Sequence, residues 1–339
     1  MKKILVTGGA GFIGSHTIVD LIQNGFEVIS IDNFSRSTKI SLEGIKKITG
    51  VDVKNYEVDL CDAASTKKVF EENKNIVGII HFAAYKAVGE SVEFPNLYYK
   101  NNLSALTNLL ECVDEFNIPH FIFSSSCTVY GEPDSSPIDE DAPLKYAESP
   151  YGATKQMSER ILLDVSIATQ LRVIFLRYFN PAGAHESGLL GELPVGKPQN
   201  LVPAITQFAI GKIQQLKVNG NDYPTRDGSN VRDYIHIMDL ARAHTLALKF
   251  LLEKKYETLL TTFNLGTGNG TTVLEAIAAF EKVTDKKLNY EIGPRRDGDV
   301  VAAYADNTKA KNELGWIPEK NIEDIMKDAW QWEKNLNKE

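Results

Sequence analysis

The segment Thr7-Gly8-Gly9-Ala10-Gly11-Phe12-Ile13-Gly14 constrains this chain more than any other. It follows the apolar run Lys3–Thr7 and opens the amphipathic stretch Phe12–Gln23. Gly8, Gly11 and Gly14 thus have G-x-x-G-x-x-G spacing between a strand and a helix. The first glycine permits a sharp turn, the second lets a pyrophosphate approach the backbone, and the third lets the helix pack close to the sheet. A helix beginning there offers free N–H groups and a positive dipole end to phosphate oxygens. Glycine turns are common, and it is the strand before and the helix after that give this triplet its meaning.

The first half continues as alternating short apolar runs and amphipathic stretches. Strands are predicted at Lys3–Thr7, Glu27–Ile31, Val53–Val58, Val77–His81, His120–Ser124 and Leu171–Arg177, with helices at Phe12–Gln23, Asp62–Glu72, Leu97–Phe116 and Pro150–Thr169. Such alternation predicts an α/β fold, a Rossmann-like doubly wound parallel sheet with helices on both faces. After Asn180 the texture changes. Gly183–Pro198 is rich in Gly and Pro and reads as a long loop, a feature usually tied to function. Residues 1–180 are therefore read as one domain and 181–339 mainly as a smaller mixed α/β substrate-binding domain, with part of 233–262 returning to the first.

Composition narrows the function class. Of 339 residues, 37 are Lys or Arg and 45 Asp or Glu, a net charge of −8. An acidic surface argues against nucleic-acid binding, which rests on neutralising phosphates. An anionic ligand must be held by a few well-placed groups. The 3 cysteines, Cys61, Cys112 and Cys127, are widely spaced and form no C-x-x-C pair, which points to a reducing cytoplasm. The histidines show no metal-ligand spacing, and no metal is expected. No apolar stretch approaches a membrane span of roughly 18 residues.

Asp32 ends the second strand about 20 residues past the glycines, where a carboxylate bonds the adenosine ribose hydroxyls and selects NAD over NADP. Arg36 either lies in an exposed loop or softens that choice. Asp59 ends the third strand and fits either an adenine contact or a simple turn. Ser149-Pro150-Tyr151-Gly152-Ala153-Thr154-Lys155 starts a helix, with Ser149 a good N-cap and Pro150 suited to the first position. Tyr151 and Lys155 are i and i+4 and share a helix face. Of 13 tyrosines, Tyr151 alone has a lysine four residues later. An ammonium beside a phenol favours phenolate and lowers its pKa, which suits proton transfer near neutral pH. Ser124-Ser125-Ser126 closes the fifth strand, at the end where such sheets bind ligands. Ser126 is the candidate to bond a reacting hydroxyl, though a capping turn also uses serines this way.

These segments resemble the extended short-chain dehydrogenase/reductases. His81–Ser91, Leu176–His185, Gly220–Thr225 and Val231–His236 narrow the resemblance to the UDP-glucose 4-epimerase group, over nearly the whole chain. The resemblance implies NAD as cofactor, a UDP-hexose substrate, a homodimer through the helices near 97–116 and 150–169, and inversion at C4 of the sugar through a transient ketone. It assigns Ser126, Tyr151 and Lys155 to catalysis. Gly8, Gly11, Phe12, Ile13, Gly14, Asp32, Asn33, Ser37, Asp59 and Leu60 would contact the cofactor, as would Phe82, Ala83, Lys86, Asn101, Ser124, Tyr151, Lys155 and Tyr178. Lys86, Ser126, Tyr151, Asn180, Asn200, Arg232, Arg296, Asp299 and Ala303 would contact the substrate.

The nearest rival of the same fold is a nucleotide-sugar 4,6-dehydratase. Such enzymes place Asp and Glu directly after the serine, whereas Cys127 and Thr128 stand here, so elimination lacks its acid and base. A non-catalytic NAD-sensing protein would have no use for Ser126, Tyr151 and Lys155 together. Family members also vary seven residues past the second arginine of Arg295-Arg296. A tyrosine there excludes an N-acetyl group at C2 of the sugar, and a small residue admits it. That count reaches Ala303, which implies turnover of UDP-N-acetylglucosamine as well. A one-residue shift would instead put Tyr304 at this place.

Overall fold

The computed structural model describes residues 1–253, 258–295 and 300–338. β1 (Lys3–Thr7) leads through the glycine loop to α1 (Phe12–Gln23), β2 (Glu27–Ile31), α2 (Ile40–Thr49), β3 (Asn55–Tyr56), α3 (Ala63–Glu72) and β4 (Ile76–His81). Then come α4 (Val88–Glu93), α5 (Pro95–Glu115), β5 (His120–Ser126), a 3-10 turn (Cys127–Tyr130), α6 (Pro150–Thr169) and β6 (Arg172–Tyr178). The second half runs β7 (Asn180–Ala182), α7 (Leu201–Ala209), β8 (Leu216–Asn219), β9 (Val231–Arg232), β10 (Tyr234–His236), α8 (Ile237–Leu252) and β11 (Leu260–Leu265). It closes with β12 (Thr271–Thr272), α9 (Val273–Thr284), β13 (Tyr290–Gly293), β14 (Ala302–Ala303) and α10 (Ile322–Leu336).

Seven parallel strands form the central sheet in the order β11-β6-β5-β4-β1-β2-β3. This is the doubly wound Rossmann order extended by one strand. The order reverses between β1 and β4, which opens a crevice at their C-terminal ends. Apolar side chains alternate across the sheet. Ile4 and Val6 enter a cluster with Ile18 of α1 and Leu240 and Leu248 of α8. Leu5 enters the opposite one with Val69 of α3, Leu106 of α5 and Leu162 of α6. Each such side chain, fully buried, contributes roughly 1.5–3 kcal/mol. α8 packs on α1, and β11 pairs with β6 from Leu260↔Val173 to Leu265↔Tyr178.

Beyond β6 a third apolar cluster gathers α7, α9 and α10 around Ile205, Phe280, Ile325 and Met326. β9 is flanked by β12 and β14, and β10 pairs with β7.

The structure adds α2 and α4, which the sequence pattern does not predict. α2 buries only Ser41, Gly44 and Ile45, too few apolar positions to set a period. A Cβ on Gly44 would meet the Leu189 carbonyl of the long loop, so a tertiary contact selects that glycine. β3 is shorter than the expected Val53–Val58, because Asp52, Lys54 and Glu57 interrupt it at an edge paired on one side only. β5 runs two residues past Ser124, which places all three serines on the strand and alternates their side chains.

Candidate active site

The glycine loop closes on itself. Gly8 has φ +70°, a region that favours glycine, and its N–H donates to the Ile31 carbonyl at 2.7 Å. A Cβ there would lie 2.8 Å from the Ala83 nitrogen, and one on Gly14 would overlap the Gly8 carbonyl. Gly11 N–H donates to Gly8 O at 3.0 Å. α1 begins with no side-chain cap and no acidic residue in its first turn. The N–H groups of its first turn, at Phe12, Ile13 and Gly14, thus carry the positive helix end toward the crevice.

Asp32 is nearly buried and braces this loop. Its carboxylate accepts from Ala10 N at 3.0 Å, Phe34 N at 2.9 Å and Ser37 Oγ at 2.7 Å. A carboxylate has about four acceptor positions, so capacity for a further hydroxyl remains. Asn33 turns back to Ser35 N at 3.0 Å, and Asp59 makes the same kind of turn with Cys61 N at 2.9 Å. Leu60 is buried, and its carbonyl accepts Asn108 Nδ2 at 2.8 Å. Arg36 is engaged elsewhere: it pairs with Glu90 at 2.7 Å and lies 4.7 Å over the Tyr85 ring.

Across the crevice, Phe82 N–H donates to Thr7 O at 3.0 Å, and its ring lies 4.7 Å from that of His244. Ala83 faces Gly8. Asn101, on α5, donates to Asn102 Oδ1 at 3.0 Å and accepts from Cys61 Sγ at its carbonyl, 3.6 Å away.

The end of β5 meets the start of α6. Ser149 caps that helix by accepting from Gly152 N at 3.1 Å, with Pro150 in its first turn. Tyr151 and Lys155 are both buried. The Ser126 hydroxyl lies beside the Tyr151 phenol, Lys155 Nζ donates to Ser124 O at 2.6 Å, and the Ser124 and Tyr178 hydroxyls are hydrogen-bonded to each other. The Lys155 amine stands 4.7 Å over the Phe123 ring and 5.9 Å from the centroid of Tyr151.

The electrostatics depart from the expected lowering of the phenol. Burial raises the Tyr151 pKa above the ordinary phenol range, with Tyr178 adding to it and the nearby Ser126 hydroxyl opposing. Burial also pulls the Lys155 amine down to about 7, with the Glu159 carboxylate opposing. A lysine that is itself desolvated cannot hold full charge beside the phenol, so desolvation wins over pairing.

The second half carries the remaining candidate residues. Asn180 begins β7 directly after β6, its N–H bonded to Asp233 O at 3.0 Å. Lys86 and Asn200 meet at one carboxylate oxygen of Glu192, at 3.3 and 2.7 Å, a link the sequence pattern does not reveal. The Arg232 guanidinium donates to the carbonyls of Val231 at 2.8 Å and Val300 at 2.9 Å. Ala303 is buried with Val129, Tyr130, Phe179 and Ala305, and Cys127 packs against that cluster. Tyr304 points elsewhere, its hydroxyl bonded to Ser136 O at 3.1 Å. Arg296 and Asp299 lie outside the described residues. Among the described residues, no three His, Cys, Asp or Glu gather as metal ligands, and no helix is long and apolar enough to cross a membrane.

Comparison with known proteins identifies the family. A family model described as GDP-mannose 4,6 dehydratase matches residues 5–329. A UDP-glucose 4-epimerase of Bacillus subtilis is 50% identical over 336 residues, 98% of either chain. The chain belongs to the UDP-glucose 4-epimerase family. Among solved members of that family, the enzyme from Bifidobacterium longum, in complex with NAD+ and UDP, has a TM-score of 0.94 at 46% identity over 98% of both chains. The one from Stenotrophomonas maltophila, with bound NAD and formylated UDP-arabinopyranose, has a TM-score of 0.95 at 43% identity, covering 100% of this chain and 99% of that one.

Proposed function

We propose that this chain interconverts UDP-glucose and UDP-galactose, with NAD held throughout turnover. The observation that carries the reading is the meeting of Ser126, Tyr151 and Lys155 at the strand ends beside the glycine loop. NAD fits the residues present: an uncapped helix start, a loop whose glycines leave no room for Cβ atoms, and a carboxylate at Asp32 with acceptor capacity left. Arg36, held by Glu90, leaves that end without a free guanidinium for a ribose phosphate.

When bound, NAD supplies the acceptor and then the donor of the C4 hydride, so the sugar passes through a ketone without net redox. Tyr151 exchanges the proton of the C4 hydroxyl, with Ser126 orienting that hydroxyl and stabilising the phenolate. To take that proton Tyr151 must be phenolate, and burial makes the phenolate costly to form. Lys155 is the cation that offsets the phenolate when the proton leaves, and Ser124 O fixes its amine. Tyr178 is held beside this centre by Ser124. Asn180, Asn200, Arg232, Arg296 and Asp299 hold the UDP part while the hexose turns over, and Lys86 bridges the two halves of the rim. Fork-shaped arginines suit a diphosphate.

Residues 1–180 together with α8 and β11 form the NAD-binding half, and most of the remainder forms the UDP-sugar half. Free thiols at Cys61, Cys112 and Cys127 suit a cytoplasmic protein. Exposed Leu97 on α5 and Met157, Leu163 and Ile167 on α6, with the exposed Arg160–Asp164 pair among them, make a mixed surface suited to a second copy.

Incubation with UDP-galactose should yield UDP-glucose without added reductant, and no product would overturn the assignment. Tyr151→Phe should keep NAD bound and slow turnover by roughly 10²–10⁴-fold, and a variant retaining a tenth of the wild-type rate would exclude Tyr151 as the proton-transfer group. In Asp32→Ala, NAD affinity measured by titration should fall roughly tenfold or more, with weaker discrimination against NADP. Since Ala303 and not Tyr304 faces the cluster at Cys127, the enzyme should also turn over UDP-N-acetylglucosamine. Ala303→Tyr should cut kcat/KM for that substrate roughly tenfold or more while sparing UDP-glucose, and equal losses on both would refute a steric gate. Sedimentation should show a dimer that Ile167→Glu weakens.

A further inference from the structure

α6 carries a third buried polar group beyond Tyr151 and Lys155. Glu159 follows Lys155 by four residues, so all three lie on one helix face. Both oxygens of its carboxylate are taken. Oε1 accepts from Ser125 Oγ at 2.5 Å and Arg177 Nε at 2.9 Å, and Oε2 from Arg177 Nη2 at 2.7 Å. The pair is almost wholly buried, at 7% and 5% side-chain exposure. Arg177 also donates through Nη1 to Tyr130 at 3.0 Å, and the Tyr130 hydroxyl donates to Asn264 Oδ1 at 2.7 Å. One network therefore ties α6, β5, β6, the 3-10 turn and β11.

Folding alone gives weak reason for such a pair. Two charges lose hydration on burial, and well-packed apolar replacements are often neutral or stabilising. Its place is informative instead. Ser125 lies between Ser124, whose carbonyl holds Lys155, and Ser126, whose hydroxyl lies beside the Tyr151 phenol. Ser125 and Arg177 are directly paired across β5 and β6. A slip of α6 along β5 would break the three hydrogen bonds to Glu159 and move Tyr151 off Ser126.

We infer that Glu159, clamped by Arg177 and Ser125, is a positioning residue that fixes the register of α6 against β5 and keeps a negative charge one turn below Lys155. This rests on the roles proposed above for Tyr151 and Lys155. The groups facing that turn are Tyr151 on α6, His81 on β4, Arg177 on β6 and Tyr130 in the 3-10 turn, with Tyr98 of α5, Cys127 and Tyr178 around Tyr151 itself. Burial pushes His81 down to about 3, so it stays neutral, and of these groups Glu159 is the one that raises the Lys155 amine. Removing its charge lowers that amine further, so the ammonium is lost at a lower pH.

The test uses the NAD-loaded enzyme and UDP-galactose. Glu159→Gln should lower kcat roughly tenfold with KM nearly constant, and should move the alkaline limb of the pH profile about one unit toward acid. Ser125→Ala, which keeps the charge, should lower kcat without moving the limb. Because Glu159→Gln leaves Arg177 buried without its partner, Glu159→Leu/Arg177→Met is measured beside it. That double variant should fold with a near-native Tm and still lose kcat. Wild-type kcat and an unmoved limb in a folded Glu159→Gln would overturn the inference, as would wild-type kcat in the folded double variant. Should neither fold, unchanged kcat in Ser125→Ala overturns it. An active Lys155→Met would instead strike the underlying assignment, whereas an inactive Lys155→Met beside normal Glu159 variants strikes only the positioning role.

Discussion

The backbone of Gly8 lies directly against that of Ala83, and the functional half of the molecule is arranged around this approach. It occurs where the strand order reverses, between β1 and β4, the place at which an open parallel sheet must leave a crevice. A side chain at Gly8 would push the two connections apart. With them apart, the start of α1 would no longer face the crevice. Asp32 secures the same geometry from the β2 side by holding Ala10, Phe34 and Ser37 at once. These three hydrogen bonds compensate a charge that is expensive to bury.

Desolvation governs the chemistry on the other wall. Tyr151, Lys155 and Tyr178 are buried together, and in each case burial is the leading cause of the pKa displacement. The phenols rise and the amine falls, so every group at this centre is pushed toward its neutral form. Such a pocket holds little net charge at rest and responds strongly to any charge placed in it, because low-dielectric surroundings magnify each interaction. Fixed contacts hold these side chains in place meanwhile. Ser124 O anchors Lys155, and the Ser126 hydroxyl lies beside the Tyr151 phenol.

The sequence by itself determined the features that depend on local spacing. The glycine triplet, the period of the buried strands and the i, i+4 relation of Tyr151 and Lys155 are set by backbone geometry within a few residues, and they were legible as such. So was the sheet class, because double-sided burial leaves continuous apolar runs at Ile4–Val6 and Phe121–Phe123. The tertiary structure decided what depends on partners far along the chain. It created α2 around a glycine pressed on the Leu189 carbonyl, cut β3 short at an edge, and joined Glu192 to Lys86 across 106 positions. It buried Ala303 among Val129, Tyr130 and Phe179 and bonded the Tyr304 hydroxyl to Ser136 O, contacts that residue counting cannot supply. It also reversed the expected shift of the Tyr151 phenol. A spacing shows that a lysine is near, but only packing fixes how much water both groups have lost, and here the loss of water outweighs the charge.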